Sequence, residues 1–187
     1  PVCLEGYADA LYEMSLFIER EDLSVVSPRV VLSAASTLHP HMRDTIARVF
    51  RAPVLDRYGS RELGPLAGEC QHGSGLHIYG ETAIVEVLDA DGKQVGGGSE
   101  GEVVATNLWN KAMPLIRYQV GDRAVRGEGY CECGRPYTLL RRIVGRSDAS
   151  FPKADGGVVL PEFFIHVVGV EFESGGIGKF QVIQEEL

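Results

Sequence analysis

The chain has 187 residues, 44% hydrophobic and 24% charged, and a formal net charge of -8. This fits one domain, or one domain and part of a second, with a real core. The acidic balance disfavours a nucleic-acid-binding surface, which needs a basic excess. It leaves nucleotides open as ligands, because phosphates are met locally by backbone N–H groups, an Arg or Mg²⁺. No apolar run reaches the roughly 18 residues of a membrane-spanning helix, and no basic start precedes an apolar core as in a signal peptide. The default reading is cytoplasmic, with no membrane partner. The chain opens on Pro1 rather than Met, which reads as a fragment.

Pro1–Tyr7 carries no helix or strand signal. Ala8–Glu21 predicts a helix, with Leu11, Met14 and Ile18 on one face. Arg29–Ser33 is a short apolar run suited to a buried strand. His39–Phe50 predicts a second amphipathic helix, with Met42, Ile46, Val49 and Phe50 as its stripe and Pro40 in the first turn. Pro53–Arg57 reads as another strand, so the first part alternates helix and strand, as in a sheet covered by helices. The middle reads as antiparallel β: Leu76–Leu88 alternates apolar and polar residues before the turn Asp91-Gly92. Gly101–Leu108, Pro114–Tyr118 and Leu139–Val144 are further strand candidates. A boundary is expected near Gly145–Asp155. Beyond it come Val158–Leu160, a helix from about Pro161 to Val168, a turn at Gly175–Gly178 and a strand at Phe180–Gln184. The fold class expected is mixed α/β with an antiparallel section, then an incomplete α+β small domain. Residues 1–145 are assigned to the first domain and 146–187 to the second, which is too short to fold alone.

Three segments carry nucleotide chemistry. Tyr58-Gly59-Ser60-Arg61-Glu62 follows a strand. Its glycine lets backbone approach a ligand, its aromatic can flank a flat base, and its glutamate can reach a metal ion bridging phosphates. Gly121-Asp122 follows an apolar segment, where a carboxylate can accept both hydroxyls of a ribose. Gly145-Arg146-Ser147-Asp148 sits at the boundary, with an Arg for phosphate or ribose and an Asp suited to a hinge. Each also has a plain reading, as an ordinary loop, a solvated turn and a linker.

In order and spacing these segments, YGSRE, RYQVGD and GRSD, resemble the ANL adenylate-forming enzymes. YGSRELGPLAGEC, GLHIYGE, GEVVATNLWNKAMPLIRYQVGD and CECGRP narrow the resemblance to the phenylacetate-CoA ligase and capsular-polysaccharide branch. The resemblance implies ATP-dependent activation of a carboxylic acid, arylacetic by branch, with AMP released and coenzyme A as acceptor. It makes Glu62 the candidate catalytic residue through Mg²⁺. Tyr58, Gly59, Ser60, Asp122 and Arg146 become nucleotide-binding residues, and Ala35 and Ser36 lie against adenine in a strand-end loop. The family's phosphate loop and late catalytic Lys are absent from this sequence, and the second acid after the hinge is Ala149. The chain alone is therefore expected not to adenylate.

Of the four cysteines, Cys131 and Cys133 are too close in sequence to bridge each other well. Cys70, His77, Cys131 and Cys133 would make a closed Cys₃His zinc shell, structural in role, with His72 as rival to His77. The branch resemblance also implies zinc here. A competing reading is a non-catalytic, zinc-stabilised binding module derived from such a ligase. Oligomeric state is not legible.

Overall fold

The computed structural model describes residues 2–146, 151–154, 158–159, 164 and 181–185. The chain begins with β1 (Cys3–Tyr7), α1 (Ala8–Arg20), β2 (Val30–Ala34), α2 (Pro40–Phe50) and β3 (Val54–Ser60). The three strands lie parallel and in sequence order. Leu11 and Ile18 of α1 and Ile46, Val49 and Phe50 of α2 form one core with Val31 and Val54 of the sheet. A fully buried side chain such as Ile46 contributes roughly 1.5–3 kcal/mol. Both helices therefore cover one and the same face of β1–β3.

Strand β1 stands where the sequence gave no signal. It is an edge strand, held by backbone pairing to β2, and its side chains are exposed or half-buried, so no hydrophobic pattern marks it. Helix α1 also differs from expectation on one face. Its buried residues are Ala8, Leu11, Ser15 and Ile18, while Met14 is exposed. Ser15 is tolerated there because its hydroxyl donates to Leu11 O at 2.7 Å.

The remainder is antiparallel: β4 (Gly64–Glu69), β5 (Leu76–Ile78), β6 (Ala83–Leu88), β7 (Glu100–Asn107), β8 (Tyr118–Arg126) and β9 (Leu139–Arg146). All nine strands join one sheet in the order β1-β2-β3-β4-β5-β9-β8-β7-β6. The second core is built by Leu66, Ala67, Leu76, Ile78, Val87, Val103, Ala105, Ala124 and Leu140. The fold is thus mixed α/β, a largely antiparallel sheet with few helices.

Two strands differ from the sequence reading in ways that bear on function. Strand β3 does not stop at Arg57; it runs through Tyr58, Gly59 and Ser60 and returns as β4, which the sequence reading missed, with a bulge at Tyr58/Gly59. A Cβ on Gly59 would lie 2.4 Å from Gly64 O, so the hairpin needs glycine there. Pro114–Arg117 is not strand: β8 begins only at Tyr118. Pro114 has no N–H to give a ladder, and Met113 and Ile116 are exposed. The carbonyl of Leu115 accepts from Asn107 N at 3.0 Å, and Arg117, at φ 48, donates its N–H to Thr106 Oγ1 at 2.9 Å.

Beyond Arg146 the described residues include β10 (Phe151–Pro152) paired antiparallel with β11 (Val158–Val159). Phe151 meets Phe164 edge-on at 4.8 Å, and Gln184 Nε2 donates to Pro152 O at 2.9 Å. Residues 181–185 are not strand. The expected helix from Pro161 to Val168, the turn at Gly175–Gly178 and the hinge Asp148 lie outside the described residues, apart from Phe164.

Candidate nucleotide and metal sites

Three strands bring the nucleotide candidates together. Tyr58, on β3, is buried, and its hydroxyl donates to Asp122 Oδ2 on β8 at 2.7 Å. Asp122 and Arg146 are cross-strand partners on β8 and β9, with Arg146 Nη1 3.6 Å from Asp122 Oδ1. Asp122 therefore sits inside a strand rather than just past its end. Gly121, at φ 83, keeps the space that Arg146 uses: a Cβ there would stand 3.0 Å from Nη2 of the guanidinium. Burial, and then the Asp122 charge, push the Tyr58 hydroxyl far above its ordinary pKa, so it remains a donor.

Glu62 projects from the β3–β4 turn and is exposed. Its own backbone N–H and then the Ser60 hydroxyl hold its carboxyl below the usual range, and Arg146 and Arg61 add to the effect. An exposed carboxylate kept ionised beside a cationic Arg can hold a divalent ion or orient phosphate oxygens. Ala35 occupies the left-handed region, at φ 70, where Ser36 N donates back to Ala34 O at 2.9 Å. The Ser36 hydroxyl is buried with no hydrogen-bond partner among the described residues. Ala34 pairs with Arg57, so this turn and Tyr58 lie at the carboxyl ends of adjacent parallel strands, where open α/β sheets bind ligands.

The sequence reading missed a neighbouring cluster. Arg43 of α2 donates to Val54 O at 2.6 Å and to Glu69 Oε1 at 2.9 Å, while Glu69 Oε2 accepts from Asp56 N at 2.8 Å. Asp56, between them, is raised to about 6, first by burial and then by the Glu69 charge. The alternation of β3 held the signal, since Asp56 falls in phase with Val54 and Tyr58.

The four metal candidates also converge. The ligand atoms of Cys70, His77, Cys131 and Cys133 lie within 4.8 Å of one another. Cys70 Sγ is 3.6 Å from Cys131 Sγ, and Cys133 Sγ is 3.6 Å from His77 Nε2. Bonds of about 2.3 Å to sulfur in a tetrahedron set sulfurs about 3.8 Å apart, so the donors fit zinc. His72 is not in the cluster and is exposed.

Two similar turns build this pocket. In Cys70–Gly73 and Cys131–Gly134 the glycine N–H returns to the cysteine carbonyl, at 3.2 and 3.1 Å. Both glycines have positive φ, 65° and 77°. The Cys133 N–H donates to Cys131 Sγ at 3.5 Å and is the main cause that lowers that thiol to about 7. Burial, then Arg135, lowers His77, which favours the neutral imidazole a metal requires. The repeated Cys-x-x-Gly was the sequence signal for this geometry, and it is independent of any Cys-x-x-Cys spacing.

No protein family profile matches the chain. Among curated proteins it is 27% identical over 161 residues to Protein CapK of Staphylococcus aureus, covering 85% of this chain and 34% of that protein. It is 38% identical over 95 residues to a phenylacetate-coenzyme A ligase of Thermus thermophilus, covering 49% and 21%. A solved 2-hydroxyisobutyryl-CoA ligase, in an open conformation with 2-HIB-AMP and CoA, superposes with a TM-score of 0.73 at 22% identity. That match covers 86% of this chain and 37% of the ligase. The chain thus has the fold of one segment of that CoA ligase. Its sequence relatives are the phenylacetate-coenzyme A ligases and CapK, as the motifs indicated, and it spans 34% and 21% of the length of the two named above.

Proposed function

We propose that the chain is the carboxy-terminal part of the large domain of an AMP-forming acid–CoA ligase, followed from residue 146 by the start of a small mobile domain. The observation that carries this reading is the convergence of Tyr58, Asp122 and Arg146 beside Glu62 and the Ser36 turn. In the reaction a carboxylate attacks the α-phosphate of ATP and pyrophosphate leaves; the thiol of coenzyme A then attacks the acyl carbonyl and AMP leaves. Asp122 takes the ribose diol with lone pairs that Tyr58 and Arg146 leave free. Tyr58, Gly59, Ala35 and Ser36 flank the adenine and Ser60 steadies the turn. Arg146 meets phosphate or ribose, and Glu62 would hold Mg²⁺, which when bound would supply charge stabilisation to the phosphates. The relatives' name supports an arylacetic acid as substrate.

Cys70, His77, Cys131 and Cys133 hold one structural zinc in this reading, all four positions being filled by protein. Free thiols and thiolate-bound zinc fit a reducing compartment such as the cytoplasm. Pyrophosphate release with a panel of aryl acids tests the whole. The intact ligase should turn over, and this chain alone should not, because it lacks the phosphate loop and the late Lys. Turnover by the chain alone would assign the chemistry to other residues. No turnover by the intact protein would favour a zinc-stabilised binding module.

A further inference from the structure

Asn107 ends β7, and both polar atoms of its side chain are committed. Nδ2 donates to Leu63 O at 3.0 Å. Oδ1 accepts from Trp109 N at 2.8 Å and from Asn110 N at 2.7 Å. The backbone N–H of the same residue donates to Leu115 O at 3.0 Å. One residue therefore joins the β3–β4 turn to the whole irregular segment that leads into β8.

The two joined segments carry the two acids of the site. Leu63 follows Glu62 directly, and its own N–H donates to Ser60 Oγ at 3.2 Å. Ser60 and Asn107 thus fix both backbone groups of Leu63, and Glu62 hangs from that fixed point. On the other side, Asn110 Oδ1 accepts from Met113 N at 3.1 Å and Thr106 Oγ1 from Arg117 N at 2.9 Å, so the segment enters β8 four residues before Asp122 on a stiff path. Among the described residues no ladder connects these parts directly: β4 pairs with β3 and β5, and β8 with β7 and β9. Among the described residues, the Asn107 amide and the Tyr58 hydroxyl each place a side-chain bond across the gap.

We propose that Asn107 is a positioning residue for Glu62, setting the distance between the metal-holding glutamate and the ribose-binding Asp122. The inference rests on the nucleotide site proposed above. Charge stabilisation by a held ion falls off steeply with misplacement, so a turn free to move would weaken binding of Mg·ATP more than folding.

The variant that isolates this link is Asn107→Asp. It keeps an acceptor oxygen for Trp109 N and Asn110 N, removes the donor to Leu63 O and sets a carboxylate against that carbonyl. Asn107→Ala removes all three bonds, and Glu62→Gln is the control. In the intact ligase, with acid saturating, the KM for Mg·ATP, its dependence on Mg²⁺ and the melting temperature are measured together. Asn107→Asp should raise the KM by about fivefold or more, with a shifted Mg²⁺ requirement and a smaller loss of melting temperature than Asn107→Ala. A wild-type KM and Mg²⁺ dependence in Asn107→Asp, while Glu62→Gln raises either, would overturn the positioning role alone. If Glu62→Gln is itself without effect, the Glu62 assignment fails and the positioning role falls with it.

Discussion

Replacing Asp56 by Asn should stabilise the protein at neutral and alkaline pH and lose that advantage in acid. The wild-type carboxyl is raised from 3.8 to about 6, first by burial and then by the Glu69 charge, against the opposing pull of the Arg57 N–H and Arg43. A folded pKa above the unfolded one means that the folded state holds the proton more tightly. Its contribution to stability is fully present below pH ~4 and is lost as pH rises through about 6. About two pH units at 1.36 kcal/mol each cap the cost of ionisation near ~3 kcal/mol, and side-chain relaxation brings the expected gain to ~1–2 kcal/mol. Asparagine keeps an oxygen to accept from Arg57 N, now at 3.0 Å from Asp56 Oδ1, so the gain is not cancelled by a lost bond. In a chain of this size that corresponds to about 2–8 °C in melting temperature. Urea unfolding of wild type and variant at pH 4 and pH 8 reads it, and any metal lost at pH 4 would be lost by both proteins alike. A variant less stable at pH 8, or one with the same advantage at both pH values, would refute the assignment of Asp56 as a strained ionised group.

The metal reading predicts about one zinc per chain by elemental analysis. Cys131→Ser and Cys133→Ser should each lower both zinc content and melting temperature, since the binding energy of a structural site is folding energy; full zinc retention in both would remove the four-ligand assignment. On the proposed nucleotide reading, Asp122→Ala in the full-length protein should raise the KM for ATP about tenfold or more, because each charge-assisted bond it would make to the ribose is worth roughly 1.5–3 kcal/mol. From sequence, Asp122 looked like a surface turn whose loss would barely touch folding; inside β8 its removal also strands the buried Tyr58 hydroxyl, so ~1–3 kcal/mol of stability should go with it, read by urea unfolding. Gly59→Ala places a Cβ 2.4 Å from Gly64 O and should cost about 1–3 kcal/mol by forcing the hairpin apart; unchanged stability would mean that the bulge is not held as described.

Much of the candidate site was legible as a cluster because its residues sit in short contiguous segments. Tyr58, Glu62, Asp122 and Arg146 were all singled out from motifs, and so were the four metal candidates. What failed was the local structure around them. Leu115 and Ile116 looked like strand because they are apolar and flanked by Pro114 and Tyr118, yet the Thr106 hydroxyl takes the Arg117 N–H and the Asn107 backbone N–H takes the Leu115 carbonyl, in place of a regular ladder. Strand β4 was invisible because Gly64, Pro65 and Gly68 dilute its pattern; only a register against β3 reveals it. Strand β1 was lost for the opposite reason, since an edge needs no buried face. Asn107 and Arg43 were missed because their roles lie in partners 44 and 26 residues away, which no local pattern encodes.

The packing of both described helices on one face of the parallel strands has a practical consequence. Helices α1 and α2 pack on the face bearing Leu4, Val31 and Val54, which leaves Glu5, Leu32, Leu55 and Arg57 on the other by alternation. Among the described residues no helix covers that second face, on which Leu32, Leu55 and Arg57 are half-buried, whereas parallel sheets are normally covered on both sides. The outer edge of β1 adds an unpaired row of backbone groups among the described residues, ending at Tyr7, 58% exposed. The Glu5–Arg57 ion pair is the charged interruption on this surface. A preparation of the chain by itself is therefore best handled as an adhesive one: self-association should grow with protein concentration, and high salt, by weakening that ion pair, should promote it.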